Sequence, residues 1–163
     1  MATFALHPQL AADGLFLVDW PLCRVLRMND AAYPWLVLVP RLTDAREIMD
    51  LSAADRVRLM DEIAWASQAL KDLQHPEKIN VGALGNLVPQ LHVHVLGRFS
   101  DDPSWPKPVW GAAPPIRFEP ADAGREIEAW RAALSPSGRR KPTPTGATSS
   151  AISAIGRRRW RKS

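Results

Sequence analysis

The chain has 163 residues and a mass of 18.1 kDa, with 46% hydrophobic and 23% charged residues, which limits it to one globular domain and a short remainder. Its net charge of +4 and pI of about 9.7 suggest a nucleic-acid partner until the charges are placed along the chain. Ser135–Ser163 holds eight basic residues and no acidic one, which leaves 13 basic against 17 acidic groups in residues 1–134, a net −4. The basic character belongs to a tail. A single cysteine, Cys23, excludes an internal disulfide framework and a Cys-based zinc cluster, and makes the cytoplasm the expected compartment. Met1–Trp20 has no basic n-region and is interrupted by Asp13 and Asp19, so no secretory leader is expected. No apolar run is long enough to span a bilayer, so no membrane partner is expected either.

In chain order, Leu15–Val18 and Cys23–Met28 read as short strands around a turn at Asp19-Trp20-Pro21, and the apolar run Trp35–Val39 between Pro34 and Pro40 reads as a buried central strand. Ser52 with Asp55 three residues on makes a capping-box-like start. Val57, Met60, Ile63, Ala64, Leu70 and Leu73 then recur at helical spacing, which predicts a long helix from about Ala53 to Gln74, stopped by His75-Pro76. Lys78–Leu84 and Leu91–Phe99 follow as two strands of a hairpin turning at Gly85-Asn86. The proline- and tryptophan-rich stretch Ser100–Pro120 predicts an ordered meander. Asp122 is positioned to cap a last helix carrying Ile127, Trp130, Ala133 and Leu134. The composition of Ser135–Ser163 predicts disorder. The expected organisation is therefore an α+β domain over residues 1–134 and a basic tail over 135–163.

The chemistry-bearing segment is Gln90-Leu91-His92-Val93-His94-Val95-Leu96-Gly97-Arg98. Side chains of a strand alternate, so Gln90, His92, His94 and Arg98 share one face and Leu91, Val93 and Val95 the other, with neighbours on a face about 6.8 Å apart. The valine face is core. The other carries two imidazoles, each a base and nucleophile at neutral pH, which suits group transfer to phosphorus. Two other readings stand beside this one. The histidines could be partners in a polar sheet face, or two metal ligands that require a third from His7, His75 or a carboxylate.

At these residues the chain resembles the histidine-triad (HIT) superfamily of nucleotide hydrolases and transferases, whose motif His-φ-His-φ-His-φ-φ (φ apolar) stands here as Gln90-Leu91-His92-Val93-His94-Val95-Leu96. The flanks agree in order: the strand ending Leu38-Val39-Pro40-Arg41, the long helix, and an Asn-bearing turn before the motif. The segments Asp102–Pro106, Pro108–Gly111, Met28–Asp30 and Pro34-Trp35 resemble a bacterial branch with Gln at the first triad position. The resemblance implies an antiparallel sheet of about five strands with one long helix packed on it, commonly in a homodimer. It implies cleavage of a nucleoside phosphoramidate, nucleotidyl conjugate or dinucleoside polyphosphate through a nucleotidyl-histidine intermediate, with a purine nucleotide as the expected partner. His92 inherits the nucleophile's role, His94 that of holding phosphate oxygens, and Gln90 that of orienting His92 through its backbone carbonyl. Asn86, Asn80 and Asn29 match substrate-binding positions. No cofactor is implied, although a divalent cation could accompany a polyphosphate. A nucleotide-binding or scaffold protein with little turnover is the contrasting expectation.

Among the other conspicuous residues, Arg98 could meet phosphate or stand solvated, and His7 and His75 read as loop residues. Cys23 reads as a buried, inert thiol. Trp35 and Trp65 fall at core-like positions, whereas Trp105 and Trp110 could line a base slot or pack over the sheet. The tail run Arg157–Lys162, with Trp160 inside it, resembles nucleic-acid contacts, and a solvated end accounts for it better.

Overall fold

The computed structural model describes residues 3–135. The expected tail and its basic run therefore lie outside the described residues, apart from Ser135. Five strands, β1 (Gly14–Asp19), β2 (Cys23–Met28), β3 (Trp35–Pro40), β4 (Lys78–Gly82) and β5 (Val93–Arg98), form one antiparallel sheet in the order β1-β2-β3-β5-β4. Three helices, α1 (Pro8–Asp13), α2 (Ala53–Gln74) and α3 (Pro120–Leu134), complete an α+β fold. Among the described residues no helix is long and apolar enough to cross a membrane.

β3 and β5 form the middle of the sheet, and every residue of both is buried. One face of the sheet carries Val25, Leu36, Leu38, Val93 and Val95 against Leu59, Ala66, Ala69 and Leu70 of α2 and against Trp130 and Leu134 of α3. The opposite face has an apolar layer of its own, in which Leu26, Trp35, Val37 and Leu96 meet Leu10, Tyr33, Val88 and Val109.

α2 begins at Ser52, whose hydroxyl accepts from the Asp55 N–H, and ends at His75 in the left-handed region at φ 53°. Its core-facing stripe keeps Ile63, Leu70 and Leu73 of the expected one but not Val57 and Met60. Val57 and Met60 are each 65% exposed, whereas Leu59 and Glu62 are buried. The Glu62 carboxylate accepts from the backbone N–H groups of Leu22 and Cys23, both at 2.9 Å, so a charge inside the domain satisfies the entry to β2. α3 also begins earlier than expected, with Glu119 at its N-cap and Pro120 in the first turn. Asp122 lies inside that turn, paired with Arg125.

β4 and β5 do pair, but they are shorter than expected: β4 stops at Gly82 and β5 starts at Val93, with residues 83–92 between them. Pro89 has no N–H to give to a ladder and the Leu91 N–H donates to the Ala45 carbonyl, so the triad segment enters the sheet only at Val93. The Pro- and Trp-rich stretch folds back over the sheet as turns, anchored by Asp102.

Candidate functional site

Alternation brings His92 and His94 to the same side, away from α2, where they are 7% and 6% exposed. Their ring centroids lie 4.9 Å apart at an interplanar angle of 81°. Leu91 and Val93 between and beside them enter the α2-side core, and the Leu91 N–H donates to the Ala45 carbonyl at 2.9 Å. The imidazoles are thus held by a backbone fixed at the opposite face.

His92 Nδ1 lies 2.7 Å from the backbone carbonyl of Gln90. A carbonyl only accepts, so Nδ1 carries a proton, and in the neutral form of the ring Nε2 holds the lone pair. The Gln90 side chain has a separate task. Its Oε1 accepts from the His7 N–H at 2.9 Å and its Nε2 donates to the Ala5 carbonyl at 2.9 Å, so it clasps the N-terminal segment. That segment packs Phe4 and Leu6 against the apolar layer on this face of the sheet. His7 in turn accepts at Nδ1 from the Gln9 N–H and starts α1.

His94 sits in an aromatic box of Trp35, Trp110 and His92, with ring centroids at 5.3, 5.8 and 4.9 Å. The indole Nε1 of Trp35 lies 3.0 Å from His94 Nδ1. Burial, with a smaller contribution from His92, pushes the His94 pKa down from 6.5 to about 4, so the ring is neutral at physiological pH. Trp105 and Trp110, with Ser104 and Lys107, line a recess of ≈570 Å³ in the meander.

The other expected site residues divide. Arg98 is neither solvated nor open to a phosphate: it is 1% exposed, and Asp102, the Asn80 Oδ1 and the Lys107 carbonyl take its N–H groups at 2.7 to 3.0 Å. Arg98 and Asn80 therefore tie β4 and β5 to the meander. Asn29 accepts at Oδ1 from the Phe118 N–H, bracing the entry to α3, and Asn86 is exposed in the loop between β4 and β5. Among the described residues no three His, Cys, Asp or Glu side chains converge as metal ligands, so the third ligand needed by the metal reading is not found there. Cys23 is fully buried, and burial pushes its thiol far above the ordinary range, as expected of an inert thiol.

Trp35 was legible only as core. The signal for more was a tryptophan rather than a phenylalanine at the end of a central strand, because a buried indole N–H needs an acceptor. The role of residues 5–7 had no local signal.

A family model for the HIT domain matches residues 9–101, which spans the sheet, α2 and both histidines. The chain belongs to the HIT family. A histidine triad protein from Bradyrhizobium japonicum is 44% identical, with a TM-score of 0.79 over 82% of this chain and 100% of that one. One from Marinobacter aquaeolei is 42% identical, with a TM-score of 0.78 over 82% and 96%, and one from Sinorhizobium meliloti is 39% identical, with 0.76 over 78% and 95%. No curated protein matches the chain.

Proposed function

We propose that this HIT protein is a nucleotide hydrolase or transferase that works through a nucleotidyl-His92 intermediate. The observation that carries the reading is the 2.7 Å contact from His92 Nδ1 to the Gln90 carbonyl, which ties Nδ1 to a backbone acceptor and leaves Nε2 as the free nitrogen of the ring, one residue before β5. Nε2 attacks the α-phosphorus, a P–N bond forms, and the bond to the leaving group breaks with its electron pair. Water then attacks the same phosphorus, the P–N bond breaks, and the nucleoside monophosphate leaves. For transferase activity another nucleophile takes the place of water. Gln90 contributes through its backbone, so a glutamine serves this step as well as a histidine.

By family resemblance the substrate is a purine nucleoside phosphoramidate, nucleotidyl conjugate or dinucleoside polyphosphate, and the active form is a cytoplasmic homodimer. The proposed steps use no cofactor, and a divalent cation would enter only with a polyphosphate. Asn86, exposed in the loop before the triad segment, is proposed as a phosphate contact. The test is turnover of adenylyl and guanylyl conjugates by the wild type and by His92→Ala, with the intermediate trapped by acid-free quench and mass spectrometry. Turnover and a mass increase of one nucleotidyl group on the peptide holding His92, both lost in the variant, are expected. A wild type that binds AMP as tightly as His92→Ala and hydrolyses nothing would mark a binding protein instead.

A further inference from the structure

We infer that Trp35 is a positioning residue: its indole N–H fixes His94 as the Nε2–H tautomer, so that His94 offers a hydrogen-bond donor beside the lone pair of His92. An indole nitrogen donates and does not accept, so across the 3.0 Å contact from Trp35 Nε1 the imidazole Nδ1 can only accept. A neutral imidazole with an accepting Nδ1 carries its proton on Nε2.

The surroundings close the alternatives. The ring stays neutral because it is buried among Trp35, Trp110 and His92. Turning the ring over would put a carbon where Nδ1 stands and leave a buried indole N–H unpaired. Strand register makes the contact specific. Trp35 pairs with Leu96 and Val37 with His94, so Trp35 is the diagonal neighbour of His94 on the same face, within reach of a long aromatic side chain.

His92 is oriented in the opposite sense, with its proton on Nδ1 and its lone pair on Nε2. Two rings 4.9 Å apart therefore present an attacker and a donor. The catalytic part of this inference rests on the proposed reaction: as Nε2 of His92 attacks phosphorus, His94 Nε2–H donates to a non-bridging oxygen, where charge redistributes. No proton leaves His94, and the ring is unchanged after each step.

The experiment uses the full chain with ¹⁵N-labelled histidine, comparing the wild type with Trp35→Phe and Trp110→Phe by two-bond ¹H–¹⁵N spectra at pH 7, with kcat and KM in parallel. Trp35→Phe keeps the aromatic contact and removes the N–H, whereas Trp110→Phe perturbs the same ring without touching that bond. The wild type and Trp110→Phe are expected to show a pyridine-like Nδ1 and pyrrole-like Nε2 for His94. Trp35→Phe is expected to show mixed tautomers and a kcat lower by about tenfold, a partial loss of one oxyanion donor, with KM nearly unchanged. A wild-type proton on Nδ1, or an unaltered tautomer in Trp35→Phe, overturns the assignment. An altered tautomer with an unaltered kcat overturns the catalytic part. If Trp35→Phe does not fold, the wild-type spectrum alone decides the tautomer. A wild type without turnover refutes the proposed reaction and leaves the tautomer to be judged by the spectra.

Discussion

Replacing Gln90 by Ala separates the two tasks of that residue. The backbone carbonyl that orients His92 remains, and both side-chain bonds to the N-terminal segment are lost. One of those bonds is partly buried and the other faces solvent, so each falls in the lower half of the usual ~0.5–1.5 kcal/mol, about 1 to 2 kcal/mol together. That free energy belongs to local opening of residues 5–11 and not to global unfolding, because Leu10 is the only residue of α1 that is buried. A loss of 1 to 2 kcal/mol raises the open population about 5- to 30-fold. Hydrogen exchange read by mass spectrometry should therefore speed by that factor in peptides spanning Ala5–Ala11 and stay unchanged in β5, where the central pairing is intact. Unchanged exchange at Ala5–Ala11 would refute the clasp. Equal acceleration in β5 would show that Gln90 supports the whole sheet instead.

Glu62→Gln should destabilise the domain by about 2–3 kcal/mol, because the amide turns a donor toward the Leu22 or Cys23 N–H; a urea midpoint shift worth under 1 kcal/mol would contradict this. For Asp102, burial pushes the pKa up, but Arg98 and the N–H groups of Phe99 and Ser104 outweigh it and hold the carboxyl below its usual range. Its contribution is then complete above the unfolded pKa of about 3.9 and is lost as pH falls through the folded value, so an Asp102→Asn deficit of about 3 kcal/mol at pH 7 should narrow in acid denaturant titrations below pH 4. The depressed pKa of His94 acts over a different window. Between 6.5 and about 4 the unfolded chain binds a proton that the native ring refuses, so stability falls as pH falls. About 1.5 kcal/mol should be lost from pH 6.5 to 5, and a His94→Gln variant that keeps the same slope would refute the assignment. For assembly, light scattering after size exclusion should give a dimer, with the outer edge of β4 and exposed Val57 and Met60 as the surfaces to mutate.

The strands were legible because three short apolar runs are bounded by turn residues, and α2 because a serine cap and a proline stop frame it. The inward face of α2 is legible only in part, at Ile63, Leu70 and Leu73, and the reason is Glu62. Apolar periodicity takes a charged residue as the mark of the wet side, whereas here the carboxylate is the partner that two buried N–H groups need. Arg98 departs from expectation for the same kind of reason: on a strand its charge suggests solvent or phosphate, but it is buried in an ion pair at 2.7 Å with Asp102 of the meander. Neither partner set follows from local pattern, since each joins elements whose mutual position is a property of the assembled fold.

The candidate site divides along the same line. Alternation alone puts His92 and His94 on one face, and the Gln90 carbonyl could be expected at Nδ1 because any residue supplies a carbonyl. What the neighbours do to the rings depends on long-range packing. The Trp35 indole reaches His94 from β3, and residues 5–7 reach Gln90 from the other end of the chain. A glutamine amide carries both a donor and an acceptor, so it can pair with a neighbouring extended backbone on both its groups at once. A histidine at position 90 has one nitrogen to donate and one to accept, but they point in widely divergent directions on a rigid ring and cannot match the Ala5 carbonyl and His7 N–H in that way. The glutamine that departs from the triad pattern thus fits the docked N-terminal segment, and the two features are expected to occur together. Gln90→His should therefore leave the His92 orientation intact and release residues 5–11 as Gln90→Ala does. Full retention of exchange protection there would show that the segment is held by Phe4 and Leu6 packing alone.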